Sequence, residues 1–413
     1  MSDPIATSEP EDARIERHAS WAELFFDLIA VAGTAALAHV LGSKLDAAAL
    51  GLYTVLFMAF WLSWTMFMLY GNIAGGKTRT LRLMIGMFGL GVMVASVPGV
   101  AHSALDHADD AHALTVFSLA YIATRVYGSQ LWRRGEVLLD LPVVQHWAGL
   151  LPWIVSLWTD QRWTIVLWAV GIGFDLLLFL VVSGEKLLNK AQLNFTARAN
   201  SPRRSRRDRP VGRGVPVIRG VSVDPKHFSE RLGLFMIIVL GESVVQVVSA
   251  ASGAHYDVGL LATGFASFVL LTGMFGLSVA FGYAGLPHLR EGRIPIRAAL
   301  GLHCLVTGVV ATVAVSLSAV VKSGFEPLSN QGRWLLCGAI AAYFTLGVVT
   351  GVVSHSSDLP RTVSRIITGI AVPLLLGLLA TGVSGRILVA CMALVVVAHL
   401  WFEQHLAPVR ARV

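Results

Sequence analysis

The sequence contains few charged residues and very few cysteines. Asp, Glu, Lys and Arg make up only 14% of its 413 residues, whereas soluble domains carry about 25%. A chain this poor in charge cannot cover the surface of several soluble domains, and 3 cysteines cannot form the framework of a disulfide-rich secreted protein. Low charge together with 55% apolar residues also excludes disorder over most of the chain. The class that remains is an integral membrane protein.

Apolar runs long enough to cross a bilayer recur along the whole sequence, whose mean hydropathy is +0.68. A spanning helix needs about 20 mostly apolar residues. Such runs lie near 22–42, 48–70, 82–101, 113–131, 137–158, 163–182, 229–252, 258–281, 297–320, 333–353, 363–382 and 384–403. They do not alternate in polarity as the strands of a membrane barrel do. We therefore predict an all-α integral membrane protein with about twelve transmembrane helices.

Basic residues are distributed unevenly between the predicted loops. With the N-terminus placed in the cytoplasm, most of the 32 Lys and Arg residues fall on the cytoplasmic side. Cytoplasmic loops are enriched in these residues, so we expect both termini to be cytoplasmic. The basic segment 201–209 (SPRRSRRDR) looks like a nucleic-acid-binding arm. Because the chain is tethered to the membrane and has no nucleic-acid-binding motif, we instead expect contact with anionic lipid head groups.

The two halves of the sequence are weakly similar. A shift of 208 positions aligns Ile29 and Gly33 of the first span with Ile237 and Gly241 of the seventh. Six helices per half would give both halves the same orientation, as in transporters built from repeats that hold the substrate site between them. The predicted organisation is a cytoplasmic tail (1–20), a six-helix repeat (21–182), a basic cytoplasmic loop (183–227), a second six-helix repeat (228–405) and a cytoplasmic tail (406–413).

Charged residues inside the predicted spans are the candidates for function, because each costs about 2.5–3.5 kcal/mol at the centre of a helix by insertion scales. Glu23 and Asp27 are four apart and share one face of the first helix. The acids inside the predicted spans outnumber the two arginines there, so ion pairing does not balance every carboxylate.

We expect a polar cavity open to the cytoplasm, with Glu242 deeper than the rest. The candidates for a substrate, ion or proton site are Glu23, Asp27, Arg125, Asp175, Glu230, Arg231 and Glu242. The structural alternative is that the two arginines clamp the carboxylates and hold the bundle together. Asp140, His146 and His303 are further polar residues of the predicted spans.

The sequence predicts neither a metal nor a cofactor. The cluster His102, Asp106, His107, Asp109, Asp110 and His112 has no defined metal-site spacing, and we expect a solvated loop. His399 and Glu403 are expected at the lipid head-group boundary. Cys304, Cys337 and Cys391 lack a Cys-x-x-Cys spacing and are interpreted as small apolar residues. Phosphate-binding, dinucleotide-binding and nucleophile-elbow motifs are missing, which excludes ATP-driven pumping by this chain itself.

Two segments, 23–33 (ELFFDLIAVAG) and 227–243 (HFSERLGLFMIIVLGES), resemble the low temperature requirement protein A (LtrA) family of bacterial membrane proteins. The resemblance implies a multi-pass protein of the bacterial inner (cell) membrane, named for a requirement in growth at low temperature. It brings no assigned substrate or reaction. The positions that match the motifs are Glu23, Phe25, Phe26, Asp27, His227, Glu230, Arg231, Gly233, Gly241 and Glu242. The Arg-rich insertion at 196–220 lies outside both motifs.

Three functions remain open from the sequence. The first is a secondary transporter or an ion- or proton-coupled permease, with a site for a small molecule, proton or cation between the first and seventh spans. The second is a membrane enzyme for a lipid or apolar metabolite, with Glu23, Asp27 and Glu230 as acid–base groups and Arg125 or Arg231 binding an anionic head group. The third is a non-catalytic membrane stress or assembly factor. The sequence does not decide whether the chain forms a homo-oligomer.

Overall fold

The computed structural model describes residues 19–44, 46–75, 78–106, 111–132, 136–199, 219–283, 289, 292–356 and 358–406. The tails 1–18 and 407–413 and most of the Arg-rich insertion therefore lie outside the described residues, as do His107, Asp109 and Asp110 of the acid-and-histidine loop. Two short strands, β1 (Glu136–Leu138) and β2 (Arg219–Val221), pair in parallel with Val137 opposite Gly220. The helices are α1 (Trp21–Ser43), α2 (Ala47–Ala74), α3 (Thr80–Asp106), α4 (Ala111–Ser129), α5 (Leu150–Val155), α6 (Gln161–Val181), α7 (Gly184–Ala199), α8 (Pro225–Ser252), α9 (Val258–Val279), α10 (Ile296–Ser323), α11 (Asn330–Val353), α12 (Leu359–Leu379) and α13 (Gly385–Leu406).

Within the described ranges, 10 helices are long and apolar enough to cross a membrane. They are α1, α2, α3, α6, α8, α9, α10, α11, α12 and α13. The chain is thus a multi-pass helical membrane protein. Helix α4 is long enough at 19 residues, but polar residues such as His112 and Arg125 make it less apolar, and it is outside this set.

Polar side chains directly before the apolar runs explain where several helices begin. The Asp46 carboxylate accepts a hydrogen bond from the Ala49 N–H (2.8 Å), and the Ser329 hydroxyl accepts one from the Gly332 N–H (3.1 Å). Asp257 caps α9 in the same way. Each cap satisfies a backbone donor that the first helical turn leaves without a partner.

The prediction of a continuous spanning helix at 137–158 is wrong. This segment contains β1, a 3₁₀ turn (Pro142–Gln145), the six-residue helix α5 and a second 3₁₀ turn (Ser156–Trp158). Pro142 and Pro152 each lack a backbone N–H, which disfavours a continuous helix. Other parts of the protein supply hydrogen-bond partners for this irregular backbone. The Leu139 N–H donates to the Val221 carbonyl (3.0 Å), and Arg297 Nε donates to the Asp140 carbonyl (3.2 Å). Irregular backbone at membrane depth is tolerated only when protein or a water-filled cavity surrounds it.

Helix α12 has a different irregularity. Residues Arg365–Ala371 form a π-helical segment, which Val372 and Pro373 follow. Pro373 has no N–H to continue the ordinary hydrogen-bond pattern, so a wide turn precedes it. Wide turns of this type occur frequently at functional sites.

The centre of the bundle is formed by α1, α2, α8 and α10. Helix α2 is enclosed along most of its length by α1, α3, α4, α6 and α8, and its Tyr53 hydroxyl donates to the Gly308 carbonyl of α10 (3.1 Å). Helix α1 packs directly against both α8 and α10. The two sequence motifs, one on α1 and one on α8, therefore lie side by side.

Candidate functional site

A capping box fixes the first acid of the site at the beginning of α1. The backbone N–H and hydroxyl of Ser20 both donate to Glu23 Oε2 (2.8 and 2.9 Å), while the Glu23 N–H donates to the Ser20 hydroxyl (3.3 Å). This reciprocal pair satisfies donors at the helix terminus. Asp27 follows one turn later on the same face, and Glu23 and Asp27 are 1% and 0% exposed.

Arg231 of α8 joins both carboxylates to the second half of the chain. Its Nε and Nη2 atoms donate to Asp27 Oδ2 (2.9 Å) and Oδ1 (2.6 Å), which is a two-pronged pair. Its Nη1 atom lies 3.1 Å from Glu23 Oε1. Bidentate guanidinium–carboxylate pairs are both stronger and more directional than single charged contacts. The arginine therefore locks the N-terminal parts of α1 and α8 together.

Neutral side chains complete this cluster. The Trp64 indole N–H of α2 donates to Asp27 Oδ1 (2.8 Å). The Trp64 ring packs on Phe235 at 4.3 Å and on the His303 ring at 6.0 Å between centroids. Because the Leu232 carbonyl is an acceptor, His303 Nε2 at 2.9 Å must carry the proton of that hydrogen bond. The aromatic and imidazole rings of these residues thus pack around the Arg231–Asp27 ion pair.

The side-chain amide of Asn72, which is hydrogen-bonded to the backbone of Asp224, orients His227. The Asn72 carbonyl oxygen accepts from the Asp224 N–H (2.9 Å), and its amide nitrogen contacts the Asp224 carbonyl (3.2 Å) and His227 Nδ1 (3.1 Å). The amide N–H₂ group is a donor, so Nδ1 is the acceptor and the ring proton lies on Nε2. That Nε2 atom faces Glu23 Oε2 at 3.8 Å.

Gly71 of α2 allows the cluster to pack against the helix backbone. A Cβ atom built on Gly71 would lie 2.6 Å from Glu23 Oε1 and 3.6 Å from Arg231 Nη1. The first distance is shorter than van der Waals contact, so a side chain at this position would displace the carboxylate. This glycine is a functional candidate that sequence reasoning missed, since its importance depends on a contact between distant helices.

A second buried pair lies in the first half of the chain. Arg125 Nη2 of α4 donates to Asp175 Oδ2 of α6 (2.9 Å), and the two side chains are 1% and 0% exposed. The guanidinium lies 5.8 Å from the centroid of the Tyr121 ring. Gly149, immediately before α5, packs directly on the Asp175 carboxylate. The interrupted segment 137–158 thus passes next to this ion pair.

A third pair lies in the second half, and the sequence did not predict it. Arg365 Nη2 of the π-helical segment is 2.5 Å from Glu403 Oε1, and Arg361 Nε is 3.1 Å from Glu403 Oε2. The Arg365 guanidinium also lies over the Tyr283 ring at 4.4 Å. Glu403 and His399 are 3% and 1% exposed, so both are buried by protein, and their position at the head-group boundary stays a prediction. Their spacing of four residues indicates a shared face, but no local pattern shows that Arg365 is the partner of Glu403.

Glu242 lies apart from these pairs. It is half-buried and lines a cavity of about 630 Å³ between the C-terminal parts of α1, α8 and α10. Arg231 is eleven residues earlier on α8, about 16 Å along the helix axis. The other polar side chains that line the cavity are Gln246, Ser249, Ser318 and Lys322.

The remaining predicted residues occupy the periphery. Glu230 and Asp140 are half-buried, and His146 is exposed. Asp140 Oδ2 accepts from the Val223 N–H (2.9 Å), so it anchors the chain after β2. The structure does not bring the candidates into one shared cavity, because Arg125 and Arg231 hold different carboxylates in different places.

The described residues contain no group of three or more His, Cys, Asp or Glu side chains able to hold a metal ion. At the end of α3, Asp106 instead pairs with Lys44 Nζ (2.7 Å) and His102 Nδ1 (3.1 Å).

Comparison with known families decides the classification. A family model described as bacterial low temperature requirement A protein (LtrA) matches residues 18–397, nearly the whole chain. The chain belongs to the LtrA family. No curated protein and no solved structure matches it. The matched range includes both motifs, the Arg231 cluster and the Arg125–Asp175 pair, so these elements lie within the LtrA part of the chain.

Proposed function

We propose that this LtrA-family chain is a secondary transporter or ion-coupled permease of the bacterial inner membrane, with both termini in the cytoplasm. The observation that carries the proposal is the contrast between the two ends of α1 and α8. At their N-terminal ends, Arg231 binds two buried carboxylates. At their C-terminal ends, these helices and α10 line the cavity of about 630 Å³. A protein that is sealed at one end and open at the other has the form expected of one state in alternating access.

The packing pattern supports two six-helix repeats. Helix α1 packs on α3, and α3 packs on α4; in the same way α8 packs on α10, and α10 packs on α11. Helices α1 and α8 contact each other, which is the position expected for elements next to a pseudo-twofold axis. The interrupted fifth segment of the first half corresponds in order to α12, the interrupted fifth segment of the second half. Interrupted helices at corresponding positions are typical of transporters.

In the proposed cycle, a small molecule or ion enters the cavity and reaches Glu242. Lys322 stands near the mouth, in the last turn of α10, and Glu242 is deeper on α8. Opening the opposite end requires Arg231 to separate from Asp27 and Glu23, so the ionic cluster acts as the closure. Separating these ion pairs costs free energy. A bound substrate would offset it by binding more tightly to the state that is open at the Arg231 end, since a ligand shifts an equilibrium only by its differential affinity for the two states.

The enzyme hypothesis receives less support from the geometry. Acid–base catalysis requires the carboxylate to reach a substrate. Glu23 and Asp27 are 1% and 0% exposed; Arg231 binds both of them, and Trp64 also donates to Asp27. A closing element fits this burial better than an acid–base pair does.

Flux measurements in reconstituted vesicles test the proposal. Solid-supported-membrane currents would be recorded for a panel of alkali ions, ammonium, amines and amino acids, with and without a proton gradient. We expect a current in the native protein, its loss in Glu242→Gln, and its retention in Glu326→Gln, which changes an exposed loop residue. Folded protein that gives no current with any member of the panel, or equal currents in both variants, would overturn the proposal.

A further inference from the structure

A second cavity, of about 280 Å³, lies in the first half of the chain, away from α1 and α8. It is enclosed by the C-terminal end of α3, the beginning of α4, the 3₁₀ turn Ser156–Trp158 and the beginning of α6. Most of its lining residues carry hydroxyl groups, which belong to Ser103, Thr115, Ser118, Ser156, Thr159 and Thr164. Such a density of hydroxyl groups at the end of a membrane bundle calls for a ligand with matching chemistry.

Three of these hydroxyl groups use their hydrogens on backbone carbonyls. Ser156 Oγ donates to the Trp153 carbonyl (2.7 Å), Thr159 Oγ1 to the Ser156 carbonyl (3.1 Å) and Thr164 Oγ1 to the Asp160 carbonyl (3.0 Å). A hydroxyl has one hydrogen and two lone pairs. With their hydrogens committed, these oxygens present lone pairs, so this wall accepts hydrogen bonds or coordinates a cation.

The base of the cavity is fixed by an indole. The Trp168 N–H donates to both Ser118 Oγ (3.0 Å) and Ser156 Oγ (3.2 Å). Its ring stacks on Trp153 with centroids 4.9 Å apart and an angle of 10°. Because Trp168 and Ser156 are 0% and 3% exposed, the oxygen positions are held by packed side chains.

The charge of the lining also has one sign. Among the described residues that line the cavity, Asp160 carries a negative charge, and none is a Lys, Arg or His. Gln161 uses its amide nitrogen on the Ser103 carbonyl, which leaves its amide oxygen as an acceptor. Divalent ions such as Ca²⁺ and Mg²⁺ are usually bound through carboxylates in addition to neutral oxygens. A single carboxylate among many neutral oxygens fits a charge of +1.

We infer that this cavity binds a small monovalent cation, either an alkali-metal ion or a primary ammonium group. The inference identifies the ion for the coupling that we propose above, and it rests on that proposed function only for the consequence of binding. The cation is held by the hydroxyl oxygens, including those of Ser156 and Thr164, and is attracted by Asp160. Access is from the end of the bundle where α3 finishes and α6 begins.

The same faces of α4 and α6 lead from the cavity to the buried Arg125–Asp175 pair. Ser118, Tyr121 and Arg125 follow one face of α4 at helical spacing. The Tyr121 ring packs on Trp153 at 4.1 Å between centroids. The Tyr121 hydroxyl lies beside the buried carboxylate of Asp175, which pairs with Arg125. Polar side chains on this face of α4 therefore connect the cavity to the buried ion pair.

Calorimetric titration of the full chain in lipid nanodiscs tests this site without any ion gradient. NaCl, KCl and NH₄Cl would each be titrated against N-methylglucamine chloride at constant ionic strength, with glycerol as the uncharged probe. We expect saturable binding of at least one of these cations and none of glycerol. The cation that binds distinguishes an alkali-metal site from an ammonium site.

Two variants and one matched control locate the binding. Thr164→Val removes a lining oxygen and keeps the shape, whereas Asp160→Asn removes the charge and retains a residue that caps helices well. We expect each to weaken binding about tenfold, a loss equivalent to one good polar contact. Thr307→Val is the control, because this buried threonine of α10 donates to the His303 carbonyl far from the cavity. A thermal unfolding curve for each variant confirms that it is folded.

Three results would overturn the inference: no saturable binding of Na⁺, K⁺ or NH₄⁺, binding of glycerol in their place, or binding unchanged in both Thr164→Val and Asp160→Asn. The outcomes separate the two proposals. Flux without cation binding overturns the cation site alone, whereas cation binding in a protein that gives no current with any tested substrate overturns the transporter alone.

Discussion

Replacing Arg231 by methionine should destabilise the protein severely. The arginine makes contacts of 2.6 and 2.9 Å with Asp27 and of 3.1 Å with Glu23, and all three side chains are at most 1% exposed. Its removal leaves two carboxylates next to each other without their counter-ion. Breaking a buried pair by deleting one partner costs about 3–5 kcal/mol. We expect a loss of this size in Arg231→Met.

Removing all three charges should restore most of that loss. Buried ion pairs are often no more stable than apolar or neutral groups of similar volume, because desolvation cancels their attraction. The triple variant Glu23→Gln/Asp27→Asn/Arg231→Met should therefore be within about 1 kcal/mol of the native protein. The non-additivity between the single and triple variants then measures the coupling directly.

Reversible unfolding by SDS in mixed micelles gives the free energies. Arg333→Met is the matched control, because this buried arginine bonds to the Gly377 carbonyl (2.9 Å) and Asn330 (2.8 Å) instead of a carboxylate. Its loss should cost about 1–2 kcal/mol, as for uncharged acceptors. The reasoning is refuted if Arg231→Met costs no more than the control, or if the triple variant is as unstable as the single one.

Further predictions concern the groups around the ionic pairs. Gly71→Ala should destabilise the protein in the same SDS assay, whereas Gly91→Ala, with open space around the added methyl group, should be neutral or stabilising by up to about 1 kcal/mol; equal effects would contradict the close packing at Gly71. Trp64→Phe removes a hydrogen bond to a buried carboxylate and should cost about 1–3 kcal/mol, and a neutral result would show that the bond is unimportant. Glu403→Gln should lower stability by at least about 1 kcal/mol, because Arg361 and Arg365 then face each other without their shared carboxylate; a stabilising effect would contradict the geometry.

The helical membrane architecture was predictable from the sequence, and so was the shared face of two acids on α1. Apolar runs identify spans because a bilayer offers no partner for exposed backbone groups. The spacing of Glu23 and Asp27 placed both acids on one face, as observed. Their partner Arg231 lies 204 positions after Asp27, and no local pattern shows which distant helix supplies the counter-ion.

The interrupted segment 137–158 could not be predicted from composition alone. The mean hydropathy of a sequence window does not show that Pro142 and Pro152 divide the apolar run. Nor does it show that the Leu139 N–H donates to a carbonyl of β2. Similarly, the position of Arg365 at the edge of the apolar run 363–382 does not show that its side chain is buried. Its burial depends on Glu403 and Tyr283, which approach from other parts of the chain.

The most direct test of the central claim is to measure from which side of the membrane the Glu242 cavity can be reached. Ala319 lines this cavity, so Ala319→Cys, in a background with Cys391 replaced by serine, would be labelled with an impermeant maleimide in right-side-out and inside-out vesicles. With cytoplasmic termini this cavity faces outward, which is the opposite of the cytoplasmic opening expected from the sequence. We therefore predict labelling from the outer face alone when the Glu23–Asp27–Arg231 cluster is intact. The Arg231→Met variant, which leaves Glu23 and Asp27 without their counter-ion, should gain labelling from the cytoplasmic face. Identical labelling from one face in both proteins would contradict the claim that this cluster closes the pathway.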